Sequence, residues 1–227
     1  MYDKNSEEIL RRLKEKDIVL EVGGWFRPFK RANWVVDVMP YETRGKGGVD
    51  GGVKEYFSKE TWIQRDICVR EPLPFKDKEI DFVICSHTLE DIRDPVFVCS
   101  ELCRVGKQGY IEVPSKLAEL SFGIESHDYA GYFHHRWIIE IEDKKINFIF
   151  KPHFIHSCWK YHLPSSYGRS LAPEKRIQWF FWEKSFEFRE QIDVEYKMVR
   201  DEIEKFIRLQ HVYPEFRYRI EKLKRTL

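Results

Sequence analysis

Five short apolar runs in the first half of the chain alternate with polar or glycine-rich segments. They cover residues 18–20, 34–38, 62–65, 80–85 and 109–113. Continuous apolar runs of this length are typical of strands buried on both faces of a parallel sheet. Between the last two runs, Asp94-Pro95 predicts a helix that ends at Gly106, because Asp caps a helix and Pro fits its first turn. This alternation of strand and helix predicts an α/β fold with right-handed crossovers.

The pattern changes after residue 115. Residues 116–136 are irregular and rich in His and aromatic side chains, and we predict that residues 116–144 form a cap or loop over the acceptor side of the sheet. Two further strands are predicted near 145–150 and 179–188, the second with a turn near Glu183-Lys184. Helical spacing predicts a surface helix over 6–16 and C-terminal helices over 194–210 and 216–223. The sequence thus predicts a main domain of residues 1–190 and a helical extension of residues 191–227.

Charge and cysteine content narrow the classes of partner. Lys and Arg total 39 and Asp and Glu total 38, so the chain lacks the basic excess of a protein that binds nucleic acid by neutralising phosphates. No apolar run reaches the roughly 18 residues of a membrane span. The first 16 residues are charged and unlike a secretory signal. Five cysteines without framework spacing suit a reducing compartment, so we expect a cytoplasmic protein with neither a nucleic-acid nor a membrane partner.

Two acidic positions follow the first two predicted strands. Glu21-Val22-Gly23-Gly24 ends the first, and Asp37 ends the second. In an open α/β sheet a ligand binds past the carboxyl ends of the strands, where glycine lets it approach the backbone and a carboxylate can accept two ribose hydroxyls. A dinucleotide site would need further glycines, but Trp25 and Pro28 stand at those positions. A nucleoside-containing ligand other than NAD is therefore favoured.

The central segment carries a more specific signature. In order, it contains Leu73-Pro74-Phe75, Asp81-Phe82-Val83-Ile84, Ser86-His87-Thr88-Leu89-Glu90-Asp91, Asp94-Pro95 and Glu101-Leu102-Cys103-Arg104-Val105. This series resembles the type 11 group of class I methyltransferases, which use S-adenosylmethionine (SAM), over residues 17 to about 115. A closer resemblance, to a bacterial subgroup, is carried by Arg31-Ala32, residues 109–115 and His135-Arg136-Trp137.

The resemblance implies a Rossmann-like sheet of seven strands, parallel except for an antiparallel last strand, in the order 3-2-1-4-5-7-6. The strands near 145–150 and 179–188 would be its last pair. It also assigns SAM contacts: Glu21, Gly23 and Gly24 form the acidic-glycine motif, Asp37 binds the ribose, Asp66 and Ile67 hold the adenine, and Ser86 and His87 border the reaction region. The glycine motif departs from the family in having Trp25-Phe26-Arg27-Pro28 in place of later glycines.

The methyl acceptor is predicted to be a small polar molecule, methylated most simply at an oxygen of a sugar or another metabolite. Oxygen acceptors need a base, and His87 or His135 has a suitable pKa. The acceptor pocket is predicted to include Glu112, Ser115, Arg136 and Trp137, with Arg136 suited to an anionic group. The alternatives are a SAM-binding module without catalysis and a nicotinamide-dependent oxidoreductase.

The remaining patterns predict little further chemistry. His134, His135, His153, His156 and Asp128 could supply metal ligands, but no pair has a tight spacing signature, and adjacent histidines in a strand would point to opposite faces. The sequence therefore predicts no bound metal. Cys99 and Cys103 share an apolar helix face and are predicted to be core residues. Dimerisation through the aromatic-rich C-terminal part is a further hypothesis.

Overall fold

The computed structural model describes residues 1–215 and 217. The strands within these residues are β1 (Val19–Val22), β2 (Trp34–Asp37), β3 (Trp62–Gln64), β4 (Phe82–Ser86), β5 (Gln108–Pro114), β6 (Trp137–Glu142), β7 (Lys145–Phe150), β8 (Ile177–Glu183) and β9 (Glu187–Gln191). The helices are α1 (Asp3–Arg12), α2 (Pro95–Val105), α3 (Lys116–Glu119), α4 (Phe154–Ser157), α5 (Ser165–Ser170) and α6 (Lys197–Leu209). The helix predicted over 216–223 lies outside the described residues.

A mostly parallel sheet forms the centre of the fold. Its six strands, all within residues 1–215, have the order β3-β2-β1-β4-β5-β8. The first five are parallel to one another, and β8 is antiparallel to β5. The predicted fold class, Rossmann-like with an antiparallel last strand, is confirmed. The central sheet has six strands in the described part of the chain, however, whereas seven were predicted.

The segment 145–150 leaves the central sheet because it forms a local hairpin instead. β6 and β7 are antiparallel and joined by Asp143 and Lys144, whose φ angles of 46° and 64° are those of a two-residue hairpin turn. A second sheet of order β6-β7-β9 results. The segment 179–188 bends at Lys184 (φ 63°), at the predicted turn, and there passes from the central sheet into the second one, so it forms two strands in different sheets.

The apolar runs of the sequence become the core as the pattern predicts. All four residues of β1 are buried, as are the first four of β4. Helix α2 begins where Asp94 accepts a hydrogen bond from the Phe97 N–H (3.1 Å) and ends at Gly106, and its buried face includes Val98, Cys99 and Leu102. One apolar cluster contains residues of α2, the central sheet and the second sheet, so the two sheets share a core.

Two further apolar clusters complete the packing. Ile9 of α1 packs with Phe82 and Tyr110 on the opposite face of the central sheet. Val199, Ile203 and Ile207 of α6 pack in a cluster with residues 120–163. The division between residues 1–190 and 191–227 stays a prediction. Among residues 1–215, no helix has the length and apolar character to span a membrane.

Candidate active site

A cleft lies at the carboxyl edge of the central sheet, where the parallel strands end together. Its volume is about 260 Å³. Its walls come from the ends of β1, β2 and β4 and from the segment that precedes β6. The lining residues include Gly23, Asp37, Asp66, Ile67, Thr88, Asp91, Arg93 and Arg136. Four of the predicted SAM contacts therefore meet in one cleft together with one predicted acceptor residue.

Asp37 is fixed at the end of β2 by backbone donors. Its Oδ2 accepts from the Trp25 N–H (3.0 Å) and its Oδ1 from the Met39 N–H (2.8 Å). Burial raises the pKa of this carboxyl, against the lowering effect of its backbone hydrogen bonds. Each oxygen can accept another hydrogen bond, so a vicinal diol in the cleft could bind both.

Asp66 and Ile67 follow β3 and form another side of the cleft. Asp66 accepts from the Cys68 N–H through Oδ1 (2.8 Å) and pairs with the Arg93 guanidinium through Oδ2 (2.7 Å). Ile67 is partly buried against the core and supplies an apolar surface. A carboxylate beside an apolar side chain suits an aromatic base that carries an amino group.

The acidic-glycine motif divides into residues that line the cleft and residues that support it. Gly23 lines the cleft with φ 81°, and a Cβ at this position would overlap the Thr88 side chain. The Glu21 carboxylate turns inward, beneath Gly24, and accepts from the Phe29 N–H (2.8 Å). Glu21 therefore shapes the loop after β1 from behind, although the sequence predicts a contact with the cofactor.

We expect Glu21→Gln to stabilise the protein at alkaline pH. Burial raises the pKa of Glu21 to about 8 from 4.5, so ionisation between these values favours the unfolded chain. Stability from this group is present below pH 4.5 and falls as pH rises towards 8. Glutamine keeps an acceptor for Phe29 and cannot ionise, so the variant should gain about 1–2 kcal/mol over the wild type at pH 8. Urea unfolding of both proteins at pH 5 and pH 8 tests this prediction. An equal difference in free energy of unfolding between variant and wild type at the two pH values would contradict it.

His87 follows β4 directly and faces two carboxylates. Its φ of 53° is the left-handed conformation, and its N–H donates to the Glu112 carbonyl (2.9 Å). Nε2 lies 3.1 Å from Glu112 Oε1, and Nδ1 lies 3.4 Å from Glu90 Oε1. Burial opposes protonation, but the two carboxylates raise the pKa of His87 to about 9. The two carboxylates therefore favour the protonated form of His87 at neutral pH.

Glu112 is the buried anion beneath His87. It is fully buried in β5 and accepts hydrogen bonds from the Tyr110 hydroxyl, the Asn5 amide (3.1 Å) and the Tyr2 N–H (3.0 Å). Ser86 Oγ lies 3.3 Å from its Oε1. Burial alone would raise the pKa of Glu112, but the hydrogen bond and charge of His87 lower it to about 2. The predicted Ser86, His87 and Glu112 thus form one hydrogen-bonded group.

Two predicted acceptor residues have structural contacts. Ser115 caps α3, accepting from the Ala118 N–H (3.2 Å) and donating to the Lys175 carbonyl (2.6 Å). Trp137 is 6% exposed, and its indole N–H donates to the Ile92 carbonyl (2.7 Å). Each side chain helps to hold the segments that border the cleft.

His135 belongs to a second polar group beside the cleft. Its Nδ1 bonds to Glu119 Oε1, while Glu119 Oε2 accepts from Lys151 Nζ (2.8 Å). Burial would lower the pKa of His135, but the Glu119 carboxylate raises it. Its Nε2 lies 3.7 Å from Asp91 Oδ1. Arg136 donates from Nε to the Asp91 carbonyl (3.0 Å), which connects this group to the cleft wall.

Sequence reasoning left several site residues without a role. Asp91 is part of the Ser86–Asp91 motif, but nothing in the motif indicates which of its side chains reaches the cleft. Thr88 and Arg93 line the cleft, and Glu119 lies in a segment without a motif. Glu119 could have been found only through its partners, because a buried carboxylate requires a cation or several donors.

The comparisons with known proteins match part of the chain. Residues 52–111 match the type 11 family model, described as a methyltransferase domain. No curated protein matches the chain in sequence. One similar solved structure is a chain of the complex between the Trm112 methyltransferase activator and a protein termed a methyltransferase from Haloferax volcanii. It has 19% identity and a TM-score of 0.35, over 48% of this chain and 51% of that chain.

A second similar structure is a protein termed a methyltransferase from Bacillus halodurans, with 17% identity and a TM-score of 0.33, over 49% of this chain and 50% of that chain. The chain therefore spans about half the length of either structure. The sheet order and the cleft at the carboxyl edge are those of a Rossmann-like α/β fold, and the matched segment is similar to a methyltransferase domain. The matched segment is of the type 11 group, and SAM is accordingly the expected cofactor.

Proposed function

We propose that the protein transfers the methyl group of SAM to a small polar acceptor, at an oxygen atom of a sugar or another metabolite. The supporting observation is the composition of one cleft, which Asp37, Asp66, Asp91 and Arg136 all line. Acidic residues suit the ribose and adenine of SAM, and Arg136 suits an anionic group on the acceptor. SAM supplies the electrophilic methyl group. We place this reaction in residues 1–190 of a cytoplasmic protein, with residues 116–144 covering the acceptor.

The proposed cofactor roles follow the chemistry of each side chain. Asp37 accepts the two ribose hydroxyls, Asp66 accepts from the adenine amino group, and Ile67 packs against the ring. Gly23 permits close approach of the cofactor to the backbone, and Glu21 and Gly24 hold that loop in place. Ser86 and His87, at the end of β4, border the reacting group.

The two predicted bases differ in their availability. Both nitrogens of His87 face carboxylates, so neither nitrogen is free to accept a proton from the methyl acceptor. His87 instead helps to hold the Glu90 and Glu112 carboxylates in position. His135 holds Glu119 through Nδ1, which leaves Nε2 as the atom that can remove a proton from the acceptor. Glu112 stabilises the charge on His87, while Ser115 and Trp137 fix the walls.

A screen of metabolite extracts with methyl-labelled SAM tests the proposal. The wild type should label a small molecule, and His135→Ala should reduce the rate by about 10²-fold or more if His135 is the base. His87→Ala should reduce the rate as well, through loss of positioning. His127→Ala is the matched control, because His127 is an exposed histidine of the same connecting segment, and it should keep full turnover.

Two results would contradict the proposal. SAM binding without methylation of any acceptor would indicate a SAM-binding module instead of an enzyme. Full turnover by both His87→Ala and His135→Ala on the best acceptor would mean that neither histidine takes part in the reaction.

A further inference from the structure

Two histidines point their Nε2 atoms at the same carboxylate oxygen beside the cleft. His135 Nε2 lies 3.7 Å and His134 Nε2 3.8 Å from Asp91 Oδ1. These ligand atoms all lie within 4.8 Å of one another. The separations are too long for hydrogen bonds. They suit atoms that share a metal ion, because ligand bonds of about 2.0–2.2 Å place neighbouring ligands roughly 3–4 Å apart.

The other nitrogen of each histidine faces a carboxylate. His135 Nδ1 bonds to Glu119 Oε1, and His134 Nδ1 lies 3.5 Å from Glu125 Oε1. The hydrogen bond of His135 Nδ1 to Glu119 favours a proton on that nitrogen and leaves the Nε2 lone pair for a metal ion. Metal-binding histidines commonly have this carboxylate–histidine arrangement, which orients the ring and increases its basicity.

Buried carboxylate oxygens next to the histidines have no hydrogen-bond partner in the described part of the chain. They are Asp91 Oδ1 and the oxygens of Glu90, a side chain only 1% exposed whose Oε1 faces His87 Nδ1 at 3.4 Å. His87 therefore already lies beside Glu90. Since a carboxylate oxygen shielded from water is costly without a partner, a cation between Asp91 Oδ1 and the two histidines would offset the cost.

The local backbone explains how adjacent histidines can converge. Phe133 and His134 form a turn, so the alternation of side chains in a strand does not apply. The two imidazole rings lie 4.5 Å apart at 83° to each other. His156, another histidine considered from the sequence, accepts from the Ala130 N–H through Nδ1 (3.0 Å) and does not join the group.

We propose that Asp91, His134 and His135 bind one divalent transition-metal ion. Two imidazole nitrogens and one carboxylate oxygen suit Zn²⁺ and its first-row neighbours, whereas Mg²⁺ and Ca²⁺ favour sites built from oxygen. Three protein ligands leave coordination positions open. Asp91 also lines the cleft, so the ion lies at the border of the site where the acceptor is proposed to bind.

A role for this ion in catalysis rests on the proposed function. With the ion bound, His135 Nε2 is a ligand and cannot take the acceptor's proton. An acceptor hydroxyl on the metal would have a lowered pKa and would lose its proton to water. Its oxygen would then bond to the methyl carbon as the S–CH3 bond of SAM breaks, and the electron pair of that bond would leave with S-adenosylhomocysteine. Metal binding itself does not depend on methyl transfer and can be measured without SAM or an acceptor.

Equilibrium dialysis of the full chain against Zn²⁺ tests the site. The metal-free wild type should bind one equivalent, whereas Asp91→Asn and His134→Ala should bind at least tenfold more weakly. His134 has a side chain 44% exposed, so its replacement should leave the fold intact, as circular dichroism can verify. Glu119→Gln should weaken binding by about 10–100-fold through loss of ring orientation. His127→Ala is the control and should bind Zn²⁺ as the wild type does.

A second measurement separates a specific site from surface binding. Co²⁺ in place of Zn²⁺ should give visible absorption bands in the wild type that are absent in Asp91→Asn. The proposal is wrong if the wild type binds Zn²⁺ no more tightly than His134→Ala does, or if Mg²⁺ at equal concentration displaces Zn²⁺. It is also wrong if His127→Ala loses as much affinity as His134→Ala.

Discussion

Glu112→Ala is expected to lower the free energy of unfolding by about 2–4 kcal/mol, because it leaves the buried Tyr110 hydroxyl and Asn5 amide without their acceptor and removes the carboxylate that pairs with the partly exposed His87. His87, Tyr110 and Asn5 all lose a hydrogen-bond partner, and the position is fully buried. Glu140→Ala is the matched control, since Glu140 is a strand glutamate paired with Lys116 but partly exposed. Loss of the Glu140 carboxylate should lower the free energy of unfolding by only about 0–1 kcal/mol. Urea unfolding followed by circular dichroism measures both.

The pH dependence of the stability lost in Glu112→Ala tests whether Glu112 and His87 form an ion pair. The pKa of Glu112 is lowered from 4.5 to about 2, so its contribution is present above pH 4.5 and is lost as pH falls towards 2. The pKa of His87 is raised from 6.5 to about 9, so its contribution is complete below pH 6.5 and is lost as pH rises through 9. The difference in free energy of unfolding between the wild type and Glu112→Ala should therefore be largest between pH 4.5 and 6.5. A stability difference that stays constant from pH 3 to 9 would refute the assignment of the ion pair.

Asp37→Ala is expected to weaken binding of SAM and of S-adenosylhomocysteine by about 1.5–3 kcal/mol, since charge-assisted hydrogen bonds to the ribose are lost. This corresponds to roughly a 10–150-fold rise in Kd. Isothermal titration calorimetry measures the change. Glu71→Ala is the control, because it removes a carboxylate that is 78% exposed and does not line the cleft.

Asp37→Asn separates binding from folding. Asn can still accept one of the backbone hydrogen bonds that Asp37 receives from Trp25 and Met39. Asp37→Asn should therefore be more stable than Asp37→Ala. It should still lose most of the SAM affinity that comes from the charge-assisted hydrogen bonds. Unchanged cofactor affinity in both variants would remove Asp37 from the site. Micromolar binding of NAD(P)H without any SAM binding would contradict the cofactor assignment altogether.

The elements of the first half of the chain could be predicted because each is specified locally. Apolar runs are buried on both faces, and Asp94, Pro95 and Gly106 mark the ends of one helix by short-range chemistry. The neighbour with which a strand pairs is not specified locally. Residues 145–150 alternate correctly for a strand, but the two-residue turn at Asp143-Lys144 gives them a neighbouring partner before they can join the central sheet.

The site was predictable where a position in the fold determines the role. Asp37 and Asp66 lie in the cleft because the ends of parallel strands share one edge. The direction of a side chain is not specified in this way. Glu21 turns inward towards Phe29, and Trp137 enters the core, because hydrogen bonds and packing from distant segments determine their orientation. The convergence of His134 and His135 required knowledge of a turn.

The position of β8 limits how the protein can be shortened. The family-like region ends near residue 115, yet β5 pairs along its full length, from Gln108 to Pro114, with β8. A chain cut at residue 115 would expose the outer edge of β5 and invite edge-to-edge aggregation. It would also uncover Gly106 and Gly109, where Trp182 packs closely against the backbone. The half of the chain proposed to bind the cofactor is therefore a poor unit for domain grafting, and a transplantable piece must extend at least through β8.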